Sequence, residues 1–350
     1  MKQIDPLGIV GRYGARIDAL ANAFLSRNTY DIYGMMRYFM GYTDAQFKTS
    51  IHSVGKRFRP GLLLLVAESY GLLKEALPAA LSVELFHNFT LIHDDIVDHD
   101  ELRRGRPTVW RIWGADHAIN TGDAQLILTL RALEELTQVP PKVVAALRTQ
   151  LLDRYLEVIE GQYLDFTLSA TKLNDPLVTE KSYLMMTEKK TSKLIRAALE
   201  AAPILAQKSK KEIPALGDFG EYLGTAYQIY DDWQGIWGAP GKTGKKRAGD
   251  IYERKKTLPI IYAREHLATT DRKRLESFYN SHISLDKTAV KNILELLAKT
   301  DAQSVLEHYA VRYKEQAIRA LSRTNLSVAT KTLLEQIART LVPDSIIESR

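Results

Sequence analysis

Apolar residues recur along this chain at three- and four-residue intervals, the spacing of one helix face after another. VKNILELLAK, from Val290, and TKTLLEQIARTL, from Thr330, are examples. β-branched runs of period two, bounded by turn residues, are missing, while Ala and Leu are abundant. The pattern predicts an all-α protein of about ten to thirteen helices. Breaks are expected at Gly41-Tyr42-Thr43, Arg59-Pro60-Gly61, Gly71, Gly105-Arg106-Pro107, Gly114, Pro140-Pro141, Asn174-Asp175-Pro176 and between Gly238 and Gly249. No repeat, low-complexity segment or composition shift marks a linker, so one domain over residues 1–350 is the simplest reading. The C-terminal third, from Leu258 to Leu341, carries no chemical motif and reads as packing helices.

One segment breaks the ordinary amphipathic pattern. From Leu81 to Ile92 the chain is apolar almost all round, as a helix inside a protein would be. It then runs into Asp94, Asp95, Asp98 and Asp100, and next into Arg103, Arg104 and Arg106. Carboxylates at the end of a buried helix are costly unless a cation meets them. Asp94 and Asp98 are four apart and share a face, where like charges repel. Oxygen-only ligands suit a hard cation, Mg²⁺ best, which keeps positions open for water and phosphate oxygens. Arginine forks just beyond match phosphate geometry. The segment reads as a diphosphate–Mg²⁺ clamp at the mouth of an apolar cavity. DDxxD alone also describes an acidic, solvated helix face. The two apolar turns before it and RRGRP after it argue against that here.

Composition narrows the choice. The 45% apolar and 26% charged shares are those of a globular protein. The absence of cysteine excludes a disulfide framework, a zinc–thiolate site and a thiol nucleophile. Residues Met1 to Gly14 hold no apolar core of signal-peptide type, and the longest aliphatic run, Leu62 to Ala67, is far too short for a transmembrane segment. A cytoplasmic location is the expectation. The net charge of +6 raises nucleic acid or an anionic membrane, but no nucleic-acid-binding signature is present. Many cations instead gather in short motifs. Gly55-Lys56-Arg57-Phe58-Arg59-Pro60 places Lys56 and Arg59 at a helix start, an anion site or a surface charge cluster. His87, on an otherwise apolar helix, reads by itself as a satisfied core histidine. A second acidic element, Asp231-Asp232, ends another apolar, aromatic helix from Phe219 to Trp237, with Gln228 on the face of Asp231. Two such carboxylate pairs would hold several Mg²⁺ ions between themselves and a diphosphate. Gly241 to Gly249, rich in lysine, followed by Lys255-Lys256-Thr257-Leu258-Pro259, suits a mobile cationic loop over phosphate, or a basic surface loop.

DDIVD followed by LRRGRP resembles the first aspartate-rich motif of the trans-isoprenyl diphosphate synthases, most closely the geranylgeranyl and farnesyl diphosphate synthases. The resemblance runs from about Gly55 to Pro259. It implies the all-α isoprenoid synthase type I fold, a single large helical bundle around a deep central cavity. It also implies a homodimer and up to three Mg²⁺ per site. By resemblance, Asp94, Asp95, Asp98, Asp231 and Asp232 are metal ligands. Gly55, Lys56, Arg59, His87 and Arg104 go to isopentenyl diphosphate. Arg103, Lys190, Thr191, Lys245 and Lys255 go to the allylic diphosphate, and Gln228 is a further substrate-binding residue. Gln162 and Asp165, three apart on a helix, resemble a motif that lines the cavity near the metals. The departing diphosphate is the implied base. The family's second motif is also DDxxD, and Gly235 stands where its third aspartate would be. That metal site is weaker, or is completed by water or by another carboxylate.

Phe89 and Thr90 precede Asp94 by five and four residues, about 6–8 Å down a helix. On an ideal wheel Thr90 shares the face of Asp94 and Phe89 points away. One aromatic at the fifth position with a small residue at the fourth resembles C20 synthases, whereas two aromatics resemble C15 synthases. Geranylgeranyl diphosphate is therefore the expected product and farnesyl diphosphate the alternative. A terpene cyclase would carry acidic motifs without needing Lys56, Arg59 and His87. A non-catalytic partner subunit of a heteromeric synthase would account for Gly235.

Overall fold

The structure, a computed structural model, describes residues 6–50, 52, 55–238 and 248–344. Among these are seventeen α-helices, and the one named sheet is a two-stranded hairpin. The helices are α1 (Pro6–Gly11), α2 (Gly14–Leu25), α3 (Asp31–Phe39), α4 (Phe58–Ser69), α5 (Leu77–Val97), α6 (Val109–Trp113), α7 (Ala115–Ala132), α8 (Pro141–Ala170) and α9 (Glu180–Thr187). They continue with α10 (Lys193–Leu205), α11 (Glu212–Trp237), α12 (Gly249–Tyr252), α13 (Leu258–His266), α14 (Thr269–Asn280), α15 (Lys287–Leu297), α16 (Ala302–Ala320) and α17 (Val328–Leu341). There are more of them than periodicity predicts. Short helices such as α1, α6 and α12 span too few residues to show a period of 3.6.

The chain divides into two compact units, interleaved in sequence. The first comprises Met1–Tyr155, Ala197–Pro214 and Asn325–Lys331. Its centre is α5, which packs chiefly on α7 and then on α4. Leu81, Leu85 and Phe86 of α5 and Leu62 to Leu64 of α4 are fully buried. Burial of each such side chain contributes roughly 1.5–3 kcal/mol. The apolar-all-round pattern of both helices thus reflects contact on every side. The predicted break at Arg59-Pro60-Gly61 lies inside the first turn of α4. Proline costs no intrahelical hydrogen bond there. Gly61 admits α1, since a Cβ would stand 2.7 Å from the Val10 carbonyl.

The second unit comprises Leu156–Arg196, Ala215–Thr324 and Thr332–Arg350. Its apolar core gathers α13, which packs on α9, α14, α15 and α16. Helix α9 starts at a capping box between Thr179 and Ser182. Helix α13 starts where Thr257-Leu258-Pro259 puts proline in the first turn. Between α9 and α10 the segment Glu188–Ser192 forms a π-turn, a feature frequent at functional sites.

Candidate active site

In the first unit, α5 delivers the acidic motif at its C-terminal end. Asp94 is half-buried, Asp95 buried, and Asp98 is the exposed C-cap. The following LRRGRP folds as the hairpin, with Leu102–Arg103 (β1) paired to Arg106–Pro107 (β2). Arg104 and Gly105, both at positive φ, form its turn. The hairpin splits the arginines. Arg103 bonds Asp95 and lies 3.4 Å from Asp100. Arg106 is structural: it donates to the carbonyls of Tyr38 and Thr43 and covers the Tyr38 ring.

Arg104 turns the other way, onto the backbone at Gly55, where a Cβ would stand 2.7 Å from Arg104 Nη2. Its Nη1 is buried and has no protein partner among the described residues. Burial first, and then Arg57, lowers its pKa, although a guanidinium keeps its proton. Nearby, Arg59 Nη1 lies 3.1 Å from His87 Nε2. Desolvation, then Arg59 and Arg104, pushes His87 well below its ordinary pKa, so its ring is neutral. Lys56 is exposed at the start of α4. Arg104, Arg59 and the neutral His87 thus form one lining beside Gly55, and the Arg104 Nη1 donor in it has no protein partner among the described residues, which suits an anion.

The sequence reading missed what holds this lining. Arg57 is buried in left-handed backbone, with φ of 49°. It bonds Glu84, Asp18 (2.8 Å) and the Met40 carbonyl (3.2 Å), and Glu84 also accepts from Asn88 (2.6 Å). Glu84, a lone carboxylate within an apolar helix, was the available signal. Phe89 is buried with its ring beside those of Phe86 and His93. Thr90 is half-buried and bonds the His87 carbonyl. Gly122 lets α7 close on α5, because a Cβ there would collide with the His93 ring.

In the second unit, the π-turn carries Lys190 and Thr191. It sits against two glycines: a Cβ at Gly161 of α8 would fall on the Lys190 backbone nitrogen, and one at Gly224 of α11 would stand 2.7 Å from the Ser192 Cα. Lys190 Nζ pairs with Asp165 at 2.5 Å, and Gln162 is half-buried on the same helix. Thr191 Oγ1 donates to Gln228 Oε1 (3.1 Å), and Gln228 Nε2 donates to Asp232 (3.1 Å). Tyr183, also missed from sequence, donates its hydroxyl to the other Asp232 oxygen. Asp231 is half-buried. Exposed Lys255 lies 3.5 Å from Asp250 and 2.7 Å from Glu253. Lys245 lies outside the described residues.

Each acidic motif suits a hard cation. Asp95 Oδ2 is buried without a protein partner among the described residues. Burial, partly offset by Arg103, raises its carboxyl to about 6. Asp232 rises to about 7, first by burial, with Asp250 and Asp231 adding like charge. Among the described residues no three acidic or histidine side chains converge tightly enough to enclose an ion alone. Mg²⁺ does not require that, because it keeps water and phosphate oxygens in its shell.

The sequence model of the polyprenyl synthetase family matches residues 42–297. A geranylgeranyl diphosphate synthase of Mycobacterium tuberculosis is 36% identical, over 82% of this chain and 80% of that protein. A (2E,6E)-farnesyl diphosphate synthase of the same species is 38% identical, over 68% and 65%. Among solved structures, geranylgeranyl pyrophosphate synthetase from Pyrococcus horikoshii superposes with a TM-score of 0.85, at 28% identity, over 97% of this chain and 98% of that one. Such neighbours have the all-α isoprenoid synthase fold that the sequence predicts.

Proposed function

The chain belongs to the polyprenyl synthetase family, and we propose that it joins isopentenyl diphosphate head to tail to an allylic diphosphate in a Mg²⁺-dependent reaction that releases diphosphate. It is a prenyltransferase. The observation that carries the proposal is the buried, unpartnered Arg104 nitrogen beside Gly55, with Arg59 and His87 close by. A diphosphate supplies the missing anion. A cyclase, which takes no second diphosphate, has no use for this lining.

Asp94, Asp95, Asp98, Asp231 and Asp232 would hold Mg²⁺, which neutralises charge on the leaving diphosphate. Arg103, Lys190, Thr191, Gln228, Lys245 and Lys255 bind the allylic diphosphate by charge and hydrogen bonds. The C1–oxygen bond breaks, and the isopentenyl double bond supplies the electron pair of the new carbon–carbon bond. The proton then lost goes to the departing diphosphate. Apolar α5 side chains around Phe89 keep water from the cation.

Geranylgeranyl diphosphate, C20, is the product we propose, from the Phe89–Thr90 pair. Farnesyl diphosphate is the second reading, because relatives of both names match the chain. We also propose a homodimer. Leu152, Leu156, Ile159, Tyr163 and Phe166 on α8 are exposed at alternating intervals of four and three, the seam of paired helices. No helix among the described residues is long and apolar enough to cross a membrane.

The test is product analysis by mass spectrometry, using purified protein with Mg²⁺, isopentenyl diphosphate and each allylic primer in turn. A linear C20 diphosphate is expected, and a C15 product would shift the reading to the alternative. A cyclic hydrocarbon, or no turnover with any primer, would overturn it.

A further inference from the structure

We propose that Asp250 supplies the carboxylate that the second acidic motif lacks at position 235, so that Asp231, Asp232 and Asp250 together serve Mg²⁺ bound against a diphosphate. The inference rests on the synthase reading above. In the motif Asp231-Asp232-Trp233-Gln234-Gly235, the glycine is buried on α11. A Cβ built at Gly235 would fall on the Asp250 carboxylate, with its carboxyl carbon 2.6 Å away. The space that a third aspartate of the motif would enter is therefore already filled by a carboxylate from α12.

Asp250 is held there from both sides. It is 5% exposed, and its neighbour Ile251 is fully buried in the core. Its backbone carbonyl accepts from the Lys255 N–H at 2.9 Å. Neutral donors, Tyr183 and Gln228, take both oxygens of Asp232, and the ammonium of exposed Lys255 stands 3.5 Å from Asp250. Asp232 feels Asp250 and Asp231 as like charges. A buried acidic group of this composition is stabilised by a hard cation, with diphosphate oxygens and water completing its shell. Glycine at 235 follows directly, since any side chain there would displace the Asp250 carboxylate.

The test is calorimetric titration of Mg²⁺ into the full-length protein at fixed inorganic diphosphate, with thermal unfolding of the metal-free protein alongside. Asp250→Asn should weaken Mg²⁺ binding roughly ten- to hundredfold. The metal-free midpoint should hold or rise, because a buried like charge is gone. The exchange Gly235→Asp with Asp250→Gly should regain affinity that Asp250→Asn loses. A parallel fall in affinity and metal-free midpoint, without recovery in the exchange variant, would make Asp250 a structural residue and overturn the inference. If Asp250→Asn binds Mg²⁺ like the unaltered protein while Asp231→Asn does not, the inference fails and the synthase reading stands. If the unaltered protein takes up no Mg²⁺ with diphosphate, both fail.

Discussion

The two acidic helix ends solve one electrostatic problem in different ways. At the end of α5, the buried Asp95 is met by a full charge, Arg103, delivered by the hairpin that follows in sequence. At the end of α11, Asp232 is met by the hydroxyl of Tyr183 and the amide of Gln228, neither of them charged. Its carboxyl is correspondingly harder to ionise, at about 7 against about 6. The first end carries its own counter-charge, and one oxygen of Asp95 is left without a protein partner among the described residues. On the proposed function, a cation arriving with the substrate would serve the second end. Charge compensation from a neighbouring loop is local and cheap to encode. Compensation by an incoming ion would leave the empty site less stable, a common trade at functional sites.

Removing a first-end ligand tests this most severely. Asp94→Ala or Asp98→Ala should lower Mg²⁺-dependent turnover by roughly a thousandfold or more, with helical circular dichroism unchanged. Retained turnover would remove the metal role from α5. Arg104→Met should raise KM for isopentenyl diphosphate roughly 10- to 100-fold, the worth of a charged hydrogen bond, with a smaller change in kcat. An unchanged KM would mean that the unpartnered guanidinium nitrogen serves no anion.

Phe89→Ala should shift the product toward longer chains by removing a buried ring below the acidic motif, and should cost about 3–5 kcal/mol of stability. A constant product distribution would move the floor elsewhere. The smallest effect sharpens the contrast between the two ends. Asp232 has a raised folded-state pKa, so its proton-linked contribution to stability is fully present below its unfolded value of 3.8 and is lost as pH rises through about 7. Asp232→Asn, which mimics the protonated form, should therefore raise the metal-free thermal midpoint by roughly 2–5 °C at pH 8 and little at pH 5. A rise of equal size at both pH values would mean that the charge of Asp232 is not the destabilising element.

The amino-acid order alone determined the helical class, the breaks at Gly105 and Gly114, and both acidic motifs. Those signals are local: a period of 3.6, a turn residue, a cluster of carboxylates beside arginines. Lys56, Arg59 and Lys190 stand out only through the family resemblance, because a basic residue in a short segment reads by itself as surface charge. Partnership was not legible. Arg57 looked equivalent to its basic neighbours, and only packing against Glu84 and Asp18 makes it a buried strut. The sequence assigns no role to Gly161 or Gly224 and shows Gly235 only as a missing aspartate; the close approach of other elements explains all three. Asp250 stands fifteen residues from Gly235 across a lysine-rich segment. That its carboxylate fills the missing side chain's place is decided by where α12 folds back. A pattern of side chains records which groups want water or its absence, and the tertiary structure alone decides which of them meet.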